Sequence, residues 1–270
     1  MKRSIALGFV IYNPGNNFVS RAQMALDSGF DIYVFDNASE TASINSLAEG
    51  SGTVRYFTCG KNRGLGLGIK TICSKAFDDN YDALIFFDQD SVFTERTLHF
   101  IEQFCGVHTG LRATHSAVVF NATRGCAEQK DCLTDVLLAI NSGSLFYLDN
   151  LKTLGWHNDH YFVDGVDYEF CLRSRRQGFK IAEYACTPGF DHATEQPDQQ
   201  YEVFGKTYPM RAYAFSRIQD VSISSFKLIF TALICGDIKF TFRIAKHWII
   251  FIGMQTIVRI KRPIRANHGL

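Results

Sequence analysis

A chain of 270 residues with 46% apolar content can bury a large core, as one big domain or two joined lobes, and its composition excludes a disordered or fibrous protein. Its net charge of +1 offers no global field, so no nucleic-acid partner is expected. The charge is unevenly placed, however: after Asp220 the only acid is Asp237, against Lys227, Lys239, Arg243, Lys246, Arg259, Lys261, Arg262 and Arg265.

The N-terminus, MKRSIALGFVIYNPGN, has the charges and apolar run of a signal peptide, but the run ends in Asn13-Pro14-Gly15 with no small-residue cleavage site. Ile5 to Ile11 therefore reads as a strand buried on both faces, and a cytosolic location is expected. A helix carrying Val19, Ala22, Met24, Ala25 and Leu26 ends near Gly29. Next come a strand over 31–36, a short helix around Ile44 to Ala48 and a strand over 53–58. A helix carrying Ile69, Ile72, Cys73, Ala76 and Phe77 leads into a strand over 83–88. Such alternation predicts an α/β fold, a mostly parallel sheet flanked by helices.

Beyond about residue 115 the pattern changes to strands over 116–120 and 135–148. Residues 164–179 read as a helix with acids in its first turn, arginines in its last turns and Gly178 just past its end. The expected organisation is a domain over 1–220, with halves at 1–115 and 116–220, followed by a basic, amphipathic helical segment over 221–270. The eight cysteines contain no CxxC and are expected to be reduced thiols, mostly buried.

Open sheets of this kind bind ligands outside the carboxyl ends of their strands. Asn13 follows the first predicted strand, Asp36-Asn37 the second, Asn62 the third, and Asp88 and Asp90 the fourth, in LIFFDQDS. Two carboxylates at the end of a buried strand repel each other unless a cation joins them. Mg2+ or Mn2+ with a substrate diphosphate is the common remedy, because such an ion takes only one or two protein carboxylates. On this reading Asp90 binds the metal and Asp88 a ribose hydroxyl. The alternative is that Asp90 or Ser91 caps the helix beginning near Glu95.

The segments FVIYNP (9–14), VFDNAS (34–39), KNRGLGLG (61–68), FFDQDS (86–91), NSGSLF (141–146) and YFVDGVDYEFCLR (161–173), in this order, resemble the inverting GT-A-fold glycosyltransferases of family 2. Within that family they are most similar to the bacterial rhamnosyltransferase branch. The resemblance covers roughly residues 5 to 195 and implies a GT-A (nucleotide-diphospho-sugar transferase) fold. It implies that Tyr12, Asn13, Pro14 and Asp36 hold the nucleotide base, that Asn62 and Gly64 approach the ribose or diphosphate, and that Gly143 and Ser144 form the floor beneath the donor sugar. It also implies a metal role for His192 beside Asp90, and a general base at Asp167, where Val166 stands in place of the family's usual glutamate. Asp164 and Glu169 compete for that last role; a helix starting at Asp164 would put Asp164 and Asp167 on one face. The implied reaction moves a sugar, L-rhamnose from dTDP-L-rhamnose before UDP-galactofuranose or a UDP-hexose, onto a lipid-linked or growing surface polysaccharide of O-antigen or capsule type.

Three other classes compete. GLGLG (64–68) before a helix, with Asp88 about 20 residues on, suits a dinucleotide-binding oxidoreductase, but it follows the third strand instead of the first. A sugar nucleotidyltransferase needs a basic, glycine-rich loop after the first strand, and YNPGNN has no basic residue. A non-catalytic sugar-binding relative has no need of both Asp90 and Asp167. In the C-terminal segment, FKLIFTALI (226–234) and HWIIFIGMQTIVRIKR (247–262) are apolar, yet the longest uncharged stretch, Trp248 to Val258, is shorter than the ~20 residues of a spanning helix. Flanking basic residues and Trp248 at one edge predict helices lying on the cytoplasmic face of the inner membrane. Packing on the catalytic domain or a homo-oligomer contact is the alternative.

Overall fold

The computed structural model describes residues 4–40, 47, 50–122, 133–191, 198–203 and 205–261. The chain divides into two compact units, Met1–Ala193 and Thr194–Leu270. The second unit thus begins ahead of the division expected at residue 220, which falls inside a helix spanning Phe215–Ile234.

The first unit is built on one eight-stranded sheet. In chain order its elements are β1 (Ile5–Ile11), α1 (Asn16–Asp27), β2 (Ile32–Asp36), β3 (Val54–Thr58), α2 (Gly64–Asp78), β4 (Ala83–Asp88), α3 (Glu95–Val107), β5 (His115–Ala122), β6 (Leu133–Asp135), β7 (Ser144–Tyr147), α4 (Leu148–Leu154), α5 (Val166–Arg176) and β8 (Lys180–Thr187). The strand order is β3-β2-β1-β4-β7-β5-β8-β6. Strands β1 to β4 are mutually parallel, β7 runs antiparallel between β4 and β5, β8 is parallel to β5, and β6 is antiparallel to β8. A mostly parallel sheet flanked by helices is therefore what forms. The short helix expected at 44–48 falls, apart from residue 47, outside the described residues.

Strands β1, β2 and β4 are apolar throughout and buried on both faces, so their sequences show no alternation. One face packs Phe9, Phe87, Phe93 and Phe190 with Phe18 of α1, and the Phe87 and Phe93 rings stack 4.3 Å apart. Of the strand expected over 135–148, only β7 (Ser144–Tyr147) and the end of β6 at Asp135 are strand. Gly143 adopts φ +78, and a Cβ there would stand 2.5 Å from the Phe120 carbonyl oxygen, so the chain must turn before β7 can enter between its neighbours.

The second unit contains a β-hairpin, β9 (Gln199–Val203) with β10 (Lys206–Met210), and two helices, α6 (Phe215–Ile234) and α7 (Ile238–Ile260). Val258 of α7 packs with Tyr201 and Met210 of the hairpin. Five cysteines (59, 73, 105, 171 and 235) are free thiols, and burial pushes the Cys105 and Cys171 thiols up to about 12. Cys186 departs from the expectation, being held in a disulfide.

Candidate active site

The sheet order reverses at β1: the chain goes from β1 to β2 on one side and returns to place β4 on the other, which opens a crevice at their carboxyl ends. Register puts Asp88 of β4 opposite Val10 and Asp36 of β2 opposite Ile11. The polar rim read from the sequence therefore gathers across three adjacent strands.

The strand ends are tied together by hydrogen bonds. Asp36 is 2% exposed and accepts from the Ser39 amide at 2.8 Å and the Ser39 hydroxyl at 2.6 Å on one oxygen, and from the Tyr56 hydroxyl at 2.8 Å on the other. Burial, with Asp36 as second cause, pushes the Tyr56 phenol up to about 12 and keeps it a donor. The Asn13 amide donates to the Ser39 hydroxyl, and Asn13 Oδ1 accepts from the Glu40 amide. Asn13 and Ala38 both take positive φ, at 46° and 62°, a conformation that costs a residue with a Cβ and is sustained by this network. Pro14 follows in the turn ahead of α1.

The loop from Asp88 to Ser91 is fastened on two sides. The Tyr12 amide donates to Gln89 Oε1 at 2.8 Å, and Arg21 of α1 donates from Nη2 to the Gln89 carbonyl at 2.6 Å. On the other side the Ser142 hydroxyl accepts from the Asp88 amide at 3.1 Å and meets the Ser91 hydroxyl at 2.5 Å. Helix α3 is capped by Thr94, whose hydroxyl accepts from the Thr97 amide in a capping box. Neither Asp90 nor Ser91 is needed as a cap. The Asp90 side chain makes no hydrogen bond or ion pair among the described residues and stands half-buried at the rim.

That arrangement fits a magnesium-type ion, which needs one or two protein carboxylates and completes its shell with phosphate oxygens and water. Among the described residues no group of three or more His, Cys, Asp or Glu could enclose a metal. His192 lies outside the described residues. Its neighbour Asp191 pairs through its backbone with Val92, two residues beyond Asp90.

The glycines of GLGLG, among them Gly64, which was expected to approach the ribose or diphosphate, are each packed closely against the chain itself. Gly64, at φ +85, would drive a Cβ to 2.2 Å from the Phe162 carbonyl oxygen, Gly66 to 2.5 Å from the Asn158 carbonyl oxygen and Gly68 to 2.6 Å from Val10. The Leu65 amide donates to the Phe162 oxygen, so the start of α2 is closed by the chain's own 158–162 loop. A dinucleotide fingerprint needs that space for a pyrophosphate, and this removes the main support for an oxidoreductase. Asn62 accepts from the Gly64 amide at 3.0 Å and shapes this turn. Gly143 and Ser144 are likewise buried: the Gly143 amide donates to Phe86 and its carbonyl accepts from Phe120, while the Ser144 hydroxyl donates to the Ile140 carbonyl.

Helix α5 starts at Val166, with Gly165 in the left-handed conformation as its N-cap. Asp164 is therefore outside the helix, and the shared face expected for Asp164 and Asp167 does not form. Glu169 is occupied: its two oxygens accept from Arg173 Nε at 2.8 Å and Nη2 at 2.9 Å. Asp167 sits half-buried in the first turn, accepting from the Tyr168 amide at 2.8 Å. No sequence feature pointed to Arg21, the lone basic residue of α1, whereas Ser39 and Ser142 lay inside motifs whose neighbours drew the attention.

No protein-family model and no curated protein sequence matches the chain. Its fold is nevertheless that of solved GT-A glycosyltransferases. The chain is similar to S. aureus TarS 1–349 in complex with UDP-GlcNAc, with a TM-score of 0.55 at 13% identity over 85% of this chain and 66% of that one. It is also similar to GalNAc-T7 with UDP, GalNAc and Mn2+, with a TM-score of 0.52 at 12% identity over 74% of this chain and 44% of that one. The chain thus spans a little under two thirds of the first and less than half of the second.

Proposed function

We propose that the protein is an inverting glycosyltransferase that moves a sugar from a nucleotide diphosphate donor to a saccharide acceptor. The observation that carries this reading is the convergence of Asp36, Asp88 and Asp90 at the carboxyl ends of β2 and β4, the two neighbours of β1, in a GT-A fold. The bound UDP-sugar of TarS and the Mn2+ of GalNAc-T7 support a nucleotide-sugar donor and a divalent ion.

Each residue then has a task. Asp36, fixed by Ser39 and Tyr56, keeps acceptor capacity for the N–H edge of the nucleotide base, with Tyr12, Asn13 and Pro14 forming the adjoining wall. Asp88 takes the ribose hydroxyls, and Asn62 and Gly64 set the turn beside them. Gly143 and Ser144 support the donor-sugar floor from beneath. Asp90, with His192, would hold Mg2+ or Mn2+, which stabilises the charge of the departing diphosphate. Asp167 takes the proton of the acceptor hydroxyl. That oxygen bonds to the anomeric carbon from one side as the bond to the diphosphate breaks on the other, its electron pair leaving with the diphosphate, and the anomeric configuration inverts.

The motif resemblance favours L-rhamnose from dTDP-L-rhamnose over UDP-galactofuranose or a UDP-hexose. A lipid-linked acceptor of the O-antigen or capsule type, met at the cytoplasmic face of the inner membrane, completes the reading. The test is incubation with Mn2+, a panel of nucleotide sugars and soluble oligosaccharide acceptors, with products read by mass spectrometry. Transfer from dTDP-rhamnose is expected. Transfer from another donor corrects the sugar alone, and release of no nucleotide from any donor overturns the proposal.

A further inference from the structure

Helices α6 and α7 of the second unit are apolar on two opposite faces. Between them, Leu228 and Ala232 of α6 and Phe240 and Ile244 of α7 are buried, the Trp248 ring lies 4.9 Å from Phe226, and Trp248 Nε1 donates to Ser222. Trp248 is thus a contact within the helix pair and not the edge anchor expected from the sequence. Phe226 borders that seam; beyond it Phe230 and Leu233 follow on α6 at steps of four and three, and Ile238, Phe242 and Ile249 lie one and two turns apart on α7. All are exposed, Phe230 by 66% and Phe242 by 72%. A helix with apolar side chains on two opposite faces is at home only where both faces are covered.

The charge beside this second face decides what covers it. Lys239, Arg243 and Lys246 follow one another at steps of four and three along α7, and none has an ion pair among the described residues. Burial, with Arg243 and Lys246 as further causes, holds the His247 imidazole below its ordinary range. The one acid at this end of the helix, Asp237, accepts from the Phe240 amide as its cap. No described helix is long and apolar enough to cross a membrane.

We infer that the exposed α6–α7 face docks on an anionic lipid bilayer, its aromatic and aliphatic side chains entering the headgroup boundary while Lys239, Arg243 and Lys246 meet lipid phosphates. A second copy of the chain is the poorer occupant, because a self-complementary contact would bring these cations together. A bilayer instead supplies both the apolar depth and the negative charge. The inference deepens the proposed function by giving its lipid-linked acceptor a surface, but docking needs no transfer activity.

The test is flotation of the full chain with vesicles of phosphatidylcholine, with and without phosphatidylglycerol. The wild-type chain is expected to float with the anionic vesicles, to be released by high salt and to float weakly with phosphatidylcholine alone. Phe230→Ser with Phe242→Ser should lower the partition coefficient at least tenfold, and Lys239→Glu with Arg243→Glu and Lys246→Glu should abolish the preference for anionic lipid, in chains whose circular dichroism matches wild type. Absence of flotation, or flotation that salt and lipid charge leave unchanged, overturns the inference on the wild-type chain alone. So does a dimer in sedimentation that the phenylalanine substitutions dissolve while no vesicle is bound. Nucleotide-sugar binding on the same preparations separates the two ideas: flotation without it sinks only the proposed function, and binding without flotation sinks only the docking surface.

Discussion

Arg21 of α1 donates from Nη2 to the carbonyl of Gln89 at 2.6 Å, which fastens a cation to the middle of the Asp88-Gln89-Asp90 loop. From sequence alone a metal was the only evident counter-charge for the two acids. The guanidinium supplies a second, and its main effect is to hold the loop in shape for a ligand. A charge-assisted hydrogen bond of this kind contributes about 1.5–3 kcal/mol. Arg21→Met is expected to weaken nucleotide binding roughly tenfold to a hundredfold, read by calorimetry with Mn2+ present, and Arg21→Lys should recover part of it. Unchanged affinity in both variants would show that the loop holds its shape unaided.

Asp167→Asn is expected to lower turnover on the order of a hundredfold or more, the scale of a lost general base, with donor affinity near wild type. Glu169→Gln should behave differently, because it breaks the paired hydrogen bonds to Arg173. Its signature is lower thermal stability, by roughly 1–3 kcal/mol, with turnover largely kept. Steady-state kinetics and thermal unfolding of the two variants together assign the base. A larger turnover loss in Glu169→Gln would move that role off Asp167.

Gly64→Ala is expected to destabilise the chain with no nucleotide present, since the new Cβ would meet the Phe162 carbonyl oxygen at 2.2 Å from a backbone at φ +85. Strain of this type costs of order 1–3 kcal/mol before the collision is counted. Thermal unfolding of the apo protein reads it. A normal melt combined with lost nucleotide binding would instead return Gly64 to the phosphate-contacting role.

His157 is 1% exposed, stacks on Phe170 at 4.7 Å, and has no hydrogen-bond partner on either ring nitrogen among the described residues. Burial first, and Arg173 second, push its pKa down to about 3. The unfolded chain therefore binds a proton here at higher pH than the folded one. The resulting stability is intact above the ordinary histidine pKa and is lost as pH falls from about 6.5 toward 3, at ~1.4 kcal/mol per pH unit. His157→Phe should flatten the acid limb of the stability curve, measured by urea unfolding between pH 7 and 4. An identical slope in both chains would contradict this.

How much was legible in the sequence follows from what each signal depends on. Strands β1, β2 and β4 were readable because burial on both faces writes itself as an uninterrupted apolar run, and Asp36 and Asp88 were readable because polarity begins where each run stops. The start of α5 was misread because Asp164 looks like a helix-start acid, whereas Gly165 in the left-handed conformation makes the cap. Gly64 was assigned to a ligand, and GLGLG suggested a dinucleotide motif, because composition records that space is needed but not what fills it. Arg21 was invisible, since its partner lies 68 residues away and is a backbone carbonyl, which carries no sequence signature.

The central claim is that Asp90 joins a nucleotide sugar to a divalent ion at this rim. Thermal unfolding of wild type and Asp90→Asn with dTDP-rhamnose, UDP-galactose and UDP-GlcNAc, each with Mn2+ or with chelator, tests it directly, because a ligand bound to the folded state raises its apparent stability by mass action. The account predicts that at least one nucleotide sugar raises the wild-type midpoint only when Mn2+ is present, and that Asp90→Asn, folding as wild type does, loses that shift. A shift of equal size in Asp90→Asn, or no shift with any donor in the wild-type chain, would contradict it.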